Sequence, residues 1–384
     1  MRIAIVHDWL DTWGGAENVL AAVLDLYPDG DLYAIVDFLT KADRARLGAR
    51  RIRTSFIQHL PFARRHFRKY LPLMPRAVER FDLSGYDLII SSSHAAAKGV
   101  MTGPNQFHIC LCYSPARYAW ELERQYLGDA GLDRWPLVGL ARRTMRRFRE
   151  WDLRAAKRVD RFVAISDYIA RRIERCYGRV AEVIYPPVDV ARYSVAAAER
   201  SPYYLTLSRL VPYKRVDLLV AAFADMPERR LVVAGDGPDM HAIAATAPAN
   251  VRLLGRVTDA ERDRLLATAR AFVFAAEEDF GIAPLEAQAC GTPVIAFCRG
   301  GAAETLRGLD AAAPTAVFFA EQTSAAIRDA VIRFEQSANR ITASACRANA
   351  QRFDIAAFRQ RFGDYVSTAF DEFRVARDRE SAPC

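Results

Sequence analysis

Two glutamates eight positions apart, Glu278 and Glu286, are the residues of this chain best spaced for chemistry. They frame the run Glu278-Asp279-Phe280-Gly281-Ile282-Ala283-Pro284-Leu285-Glu286, just after an apolar stretch, 272–275, that reads as a strand. Gly281 predicts a turn, which leaves Glu278 in a loop and Glu286 in the helix that follows. Backbone amides from Phe280 through Gly281 to Ile282 would then open that helix. Free amides at a helix start, with the helix dipole behind them, suit an anionic phosphate. A carboxylate beside them can accept hydrogen bonds from sugar hydroxyls. Either glutamate alone would pass for a solvated surface charge; the strand–loop–helix setting makes the segment a candidate site.

Other chemistries find no support. The seven cysteines, at 110, 112, 176, 290, 298, 346 and 384, are odd in number and irregularly spaced, and no Cys/His cluster has zinc spacing. They read as reduced, buried thiols. Asp29-Gly30-Asp31 precedes a strand instead of following one, so it reads as a turn; no metal site and no cofactor is expected. No Gly-x-Gly-x-x-Gly follows a strand with an acidic residue at the right distance, which argues against a dehydrogenase.

The elements around the site repeat as strand then helix. Apolar strands are predicted at 3–6, 32–36, 86–90, 107–112 and 161–165, and again at 203–207, 231–234, 251–254, 272–275 and 294–297. Helices fall between them, among them 16–26, a long basic one at 134–158, and 167–177. Short apolar strands alternating with helices predict α/β doubly wound parallel sheets covered on both faces. The prolines of Ile184-Tyr185-Pro186-Pro187 interrupt the first series, so a hinge is expected at 185–200. The domains are therefore 1–185 and 186–353, with 354–384 a C-terminal helix packing back toward the first. Phe358, Phe362, Tyr365, Val366 and Ala369 recur there at helical spacing. The 384 residues, 51% hydrophobic and 26% charged, fit two ordinary domains and exclude a disordered or collagen-like chain. Two such domains facing each other would bind ligand in the cleft at the carboxyl ends of their strands.

The Glu278–Glu286 segment resembles the Glu-x7-Glu signature of retaining glycosyltransferases of family 4, which have the GT-B fold of two Rossmann-like domains. Four further segments resemble that family in order and spacing: Gly14-Gly15-Ala16-Glu17, Leu207-Ser208-Arg209-Leu210-Val211-Pro212-Tyr213-Lys214-Arg215, Val233-Ala234-Gly235-Asp236-Gly237-Pro238 and Leu254-Gly255-Arg256-Val257. The resemblance runs over essentially the whole chain. It implies that Glu278 contacts donor-sugar hydroxyls, that Phe280, Gly281 and Ile282 complete the sugar pocket, and that Glu286 contacts the ribose. Arg256 and Val257 would lie near the base. Arg209 and Lys214 would neutralise the departing nucleoside diphosphate, Arg as a planar fork and Lys as a point charge. The amides of Gly14 and Gly15, starting a helix, could hold the diphosphate from the other domain. Glycine is needed there because a Cβ would block close approach. No protein nucleophile is required, and no metal.

More narrowly, His7-Asp8-Trp9-Leu10, Ser91-Ser92-Ser93-His94-Ala95 and Cys112-Tyr113-Ser114-Pro115-Ala116-Arg117-Tyr118-Ala119-Trp120 resemble bacterial mannosyltransferases of O-antigen and exopolysaccharide assembly. This implies GDP-mannose, or a GDP-deoxymannose, as donor and a polyprenyl-diphosphate-linked glycan as acceptor. His94, Tyr113 and Arg117 are candidates for the acceptor or sugar side. Many relatives carry histidine where Tyr113 stands, so either Tyr113 or His94 could take that role. A UDP-sugar donor within the same family, or a non-catalytic nucleotide-sugar-binding or scaffold protein, are the alternatives.

The net charge of +8 divides into +9 over residues 1–185 and −1 over the rest. Two basic clusters stand out: Arg64, Arg65, His66, Arg68 and Lys69, and Arg142, Arg143, Arg146, Arg147 and Arg149. The second reads as a helix with Leu140, Met145, Phe148 and Trp151 furnishing apolar contacts. A solvated cationic face is the plain reading; the sharper one is an anionic membrane surface. No nucleic-acid motif accompanies the charge. No apolar run is long enough to span a bilayer, and 3–6 reads as a strand instead of a leader. The expected location is the cytoplasm, peripheral on the inner face of the cytoplasmic membrane.

Overall fold

The structure, a computed structural model, describes residues 1–48, 50–120, 137–195 and 200–381. The chain forms two compact units: Met1–Tyr185 with Phe358–Cys384, and Pro186–Ala357. The last helix therefore belongs to the first unit although it follows the second.

The first unit holds a seven-stranded sheet of β1 (Ile3–His7), β2 (Asp31–Ala34), β3 (Ile52–Thr54), β4 (Leu88–Ser93), β5 (Phe107–Cys112), β6 (Arg161–Ala164) and β7 (Ala181–Val183). Their order is β3-β2-β1-β4-β5-β6-β7, and every pair is parallel. The second unit holds β8 (Tyr203–Leu207), β9 (Arg230–Ala234), β10 (Val251–Gly255), β11 (Ala271–Phe274), β12 (Val294–Phe297) and β13 (Ala316–Phe319), in the order β10-β9-β8-β11-β12-β13, again all parallel. Both sheets are Rossmann-like. In each, the first strand of the series (β1, β8) lies inside the sheet, and the chain builds outward first on one side and then on the other. A crevice opens at that reversal, between the loops leaving β1 and β4 and between those leaving β8 and β11.

Strands covered on both faces must be apolar throughout. Both β5 and β11 are buried along their whole length, and only His108 of β5 breaks the apolar run. β4 is the instructive departure. The expected strand 86–90 lies two to three residues later, at Leu88–Ser93, and ends in three buried serines. Those hydroxyls are tolerated because they find partners. Ser91 Oγ lies 2.8 Å from His108 Nε2, and Ser92 Oγ lies 2.9 Å from both His7 Nδ1 and the Tyr113 hydroxyl. Three strands escaped the sequence pattern. β3 and β7 are sheet edges of three residues, too short for a period to register, and β13 is a four-residue edge whose apolar run was passed over.

Helix Gly15–Leu26 buries Val19, Leu20, Val23 and Leu24 as its spacing predicts. Helix Asp167–Tyr177 starts where Ser166 caps the Ile169 amide. The basic helix runs Leu137–Lys157; the expected 134–136 and Cys384 lie outside the described residues. Phe148 and Trp151 face the core, but Leu140 is 66% exposed and does not join the apolar contacts expected of it. The final helix, Ile355–Ser381, buries Phe358, Phe362, Val366 and Ala369. Among the described residues no helix is long and apolar enough to cross a membrane.

Candidate sugar and diphosphate site

In the second unit, the loop leaving β8 and the loop leaving β11 meet through one pair of side chains. Lys214 Nζ donates to Glu278 Oε1, across 64 residues of sequence. Both side chains are largely sheltered, at 14% and 19% exposure. The Lys214 ammonium also lies 5.6 Å from the Tyr213 ring centre and 5.9 Å from that of Phe274. An ammonium on aromatic faces beside a carboxylate is a cation held in place before any ligand arrives. Arg209, on the same loop as Lys214, is exposed, and its guanidinium has no protein partner among the described residues.

Backbone shape sets Glu278. Gly281, at φ 86°, caps helix Ile282–Ala289, so the turn predicted at Gly281 is where the loop becomes helix. Phe280 is buried against Phe353, their ring centres 5.9 Å apart. Beneath this loop lies a feature that the sequence reading passed over, Gly300-Gly301 at the end of β12. The Gly301 amide donates to the Glu278 carbonyl at 2.8 Å. A Cβ on Gly301 would come within 2.3 Å of the Phe280 backbone. Only glycine allows that approach. A Gly-Gly pair two residues past an apolar strand was the available signal.

Glu286 does not join this pair. Its carboxylate faces the Tyr193 hydroxyl, whose pKa is pushed up by burial first and by that carboxylate second. Arg262 donates to the same hydroxyl at 3.4 Å. Arg256 is exposed and Val257 half-buried, both just past β10, which two strands separate from β11 in the sheet.

The first unit carries a second polar cluster, at the crevice between β1 and β4. His7 and Asp8 are buried, and His94 is half-buried in the loop leaving β4. Asp8 Oδ2 accepts from the amides of His94 and Ala95 at 2.6 and 2.8 Å, and Oδ1 from those of Ala96 and Ala97 at 2.6 Å each. Burial would raise the Asp8 pKa; His94, His7 and the amide donors overcome it and hold the carboxyl below its usual range. Tyr113 is buried between Ser92 Oγ and the Ala16 carbonyl, to which it donates at 3.1 Å. It is thus a neighbour of His94, with ring centres 6.3 Å apart. Gly14 is the N-cap of helix Gly15–Leu26, but its amide already donates to Glu17 Oε2 at 2.9 Å in a capping box. A diphosphate would have to displace Glu17 to reach that amide. Arg117 opens the short helix Arg117–Trp120 after β5 and is half-buried.

Two family models match consecutive stretches of the chain: "Glycosyltransferase Family 4" over residues 13–192 and "Glycosyl transferases group 1" over residues 189–353. The chain is 31% identical over 202 residues to a GDP-mannose-dependent monoacylated alpha-(1-6)-phosphatidylinositol monomannoside mannosyltransferase of Corynebacterium glutamicum, covering 45% of this chain and 51% of that protein. It is 33% identical over 171 residues to a D-inositol 3-phosphate glycosyltransferase of Mycolicibacterium gilvum, covering 37% and 38%. The chain thus spans about half or less of the length of these curated relatives. Among solved structures, HepE of Anabaena in complex with UDP and glucose superposes with a TM-score of 0.69 at 20% identity, covering 96% of this chain and 99% of that one. The lipopolysaccharide outer core galactosyltransferase WaaB, in its apo form, superposes with 0.63 at 18%, covering 96% and 99%. At such identity the likeness establishes the GT-B fold.

Proposed function

We propose that this chain, whose two halves belong to the glycosyltransferase families that those models describe, transfers a sugar from a nucleoside-diphosphate donor to an acceptor hydroxyl. The observation that carries the reading is the Lys214–Glu278 pair at the reversal point of the second sheet, with the exposed guanidinium of Arg209 on the same loop as Lys214. Breaking a sugar–phosphate bond leaves negative charge on the diphosphate. Lys214 and Arg209 are cations on the loop that would receive it. Glu278 offers two acceptor oxygens to sugar hydroxyls. In this reading the anomeric configuration is retained, no protein nucleophile takes part, and no metal is needed because the cations supply the charge.

The donor is mannose-type, GDP-mannose or a GDP-deoxymannose. The motifs at His7–Leu10, Ser91–Ala95 and Cys112–Trp120 support it, as does the likeness to the GDP-mannose-dependent Corynebacterium protein. The solved relative that carries UDP favours the second reading, a UDP-sugar donor. Calorimetry separates them. GDP should bind at least about tenfold more tightly than UDP, a difference of roughly 1.4 kcal/mol. Equal binding, or tighter UDP, rejects the GDP reading.

The acceptor is a polyprenyl-diphosphate-linked glycan of surface-polysaccharide assembly, met at the cytoplasmic face of an anionic membrane. Helix Leu137–Lys157 supports the membrane contact: it turns Arg142, Arg143, Arg146, Arg147, Arg154 and Lys157 to solvent together with Leu140. The segment 61–73 exposes Arg64, Arg65, His66, Arg68 and Lys69, with Phe62 79% exposed beside them. Basic residues at an anionic surface contribute about 1 kcal/mol each. Cosedimentation with vesicles containing phosphatidylglycerol should therefore exceed that with neutral vesicles. Changing Arg146 and Arg147 to Glu should lower binding by roughly tenfold or more. Binding indifferent to lipid charge or to these changes removes the membrane from the proposal.

A further inference from the structure

Asp8 and His94 are more elaborately built than a structural cap needs. Capping the loop that leaves β4 already takes both carboxylate oxygens of Asp8, which accept four backbone amides. Yet Oδ2 also lies 3.2 Å from His94 Nδ1. A fully buried carboxylate at that position draws the ring proton onto Nδ1, and the lone pair is left on Nε2. Trp9 fixes the ring from the side, edge-on at 4.5 Å between centres, with Tyr113 and His7 at 6.3 and 6.5 Å. The side chain is 31% exposed, and Nε2 has no hydrogen-bond partner among the described residues. The result is one oriented acceptor atom, open to solvent, at the reversal point of the first sheet. It lies in the unit that holds neither Lys214 nor Glu278.

We propose that His94 Nε2 accepts a hydrogen bond from a non-reacting hydroxyl of the acceptor sugar, with Asp8 as its positioning residue. The proposal rests on the glycosyl-transfer reading and gives the first unit a chemical task within it. His94 changes no protonation state during transfer; it orients the acceptor through a hydroxyl that does not react. The contact exists only while Nε2 keeps its lone pair. Burial first, then His7 and Arg68, hold the imidazole pKa below its ordinary 6.5, against the opposing pull of Asp8 and Glu17. At neutral pH the ring is therefore neutral. On acidification Nε2 gains a proton and turns from acceptor to donor.

The test uses the full chain, GDP-mannose as donor, and octyl α-mannoside and water as competing acceptors. His94→Ala should lower kcat/KM for octyl α-mannoside by about tenfold or more, the worth of one sheltered hydrogen bond, through the acceptor KM. GDP-mannose hydrolysis and GDP binding should stay unchanged. His94→Gln places an amide oxygen near the Nε2 position; it should restore much of the transfer and abolish the loss of activity at acid pH. Transfer by His94→Ala equal to wild type, parallel loss of hydrolysis and transfer, or no rescue by His94→Gln each overturns the proposal. Nitrogen NMR of the imidazole reads the orientation without any turnover: the Nδ1–H tautomer is expected at neutral pH, and an Nε2–H tautomer or an imidazolium overturns it. A wild-type chain that neither transfers nor hydrolyses nucleotide sugars would sink the glycosyl-transfer reading. The NMR result would then decide the Asp8–His94 arrangement separately.

Discussion

Replacing Lys214 with alanine is expected to cut sugar transfer by roughly 10²–10³-fold, the cost typical of removing one preorganised charge from where charge develops. Two effects act in the same direction. The departing diphosphate loses a cation, and Glu278, which Lys214 holds in this structure, is left as a bare carboxylate beside the incoming phosphates. Glu278→Ala removes the acceptor of sugar hydroxyls, and Arg209→Ala removes the second cation; each should lower turnover by more than about tenfold. The fold should survive all three. Arg209 is exposed, and none of the three side chains belongs to the packed apolar core of the second unit. Steady-state turnover with the preferred donor, together with thermal melting, reads both halves of the expectation. Near-normal turnover by all three variants would reject the site outright. Melting points lowered by many degrees would mean that the pair is structural.

Lys98→Met is expected to destabilise the first unit by about 3–5 kcal/mol, the usual consequence of leaving one charge of a buried pair without its partner. Lys98 and Asp152 are both fully buried, 2.5 Å apart. Lys98 also donates to the Ala95 carbonyl at 2.9 Å, and Asp152 Oδ2 accepts from Trp120 Nε1 at 2.9 Å and from the Tyr177 hydroxyl at 2.7 Å. Burial alone would lower the Lys98 pKa, but Asp152 outweighs it and the ammonium is held above its ordinary 10.5. A raised lysine pKa stabilises the fold at every pH below the unfolded value, so the contribution is whole at neutral pH and fades only in strong alkali. The five tryptophans all fall within residues 1–185, so their fluorescence during urea unfolding follows the first unit alone. A loss below about 1 kcal/mol would contradict the expectation. Lys98→Met combined with Asp152→Leu should recover much of the loss, since an apolar pair leaves no orphaned charge.

The same two pairs show where sequence reading succeeds and stops. Glu278 and Lys214 were each legible, because each lies in a short motif after an apolar strand. Their contact was not, since it joins positions 64 residues apart through a strand order that no local pattern encodes. Lys98 and Asp152 left a weaker trace, a lone lysine in an alanine-rich stretch and an aspartate on a basic helix. Each alone resembles an ordinary surface charge. Asp8 lies within the His7–Leu10 motif, yet its bonds to residues 94–97 depend on β1 and β4 being neighbours. Glu286 shows the reverse: the spacing marked it, and the fold sets it beside Tyr193 and Arg262. The strands were legible at most apolar runs, and failed at the short sheet edges, the apolar β13 among them, and in the serine-rich end of β4.

The final helix has a consequence for how the molecule is made. Phe358, Phe362 and Val366 are core residues of a unit whose other members end at Tyr185. Phe370 and Phe373 close on Phe107 at the start of β5, with ring centres 6.1 and 5.0 Å apart, and Arg359 pairs with Asp25. On the ribosome, residues 186–357 emerge as one unbroken stretch and can finish folding while the earlier-made unit still lacks its last helix. The unit begun first is completed last. Through that interval the apolar surface meant for Phe362 and its neighbours stays open, and the time spent in that state is set by the rate of translation.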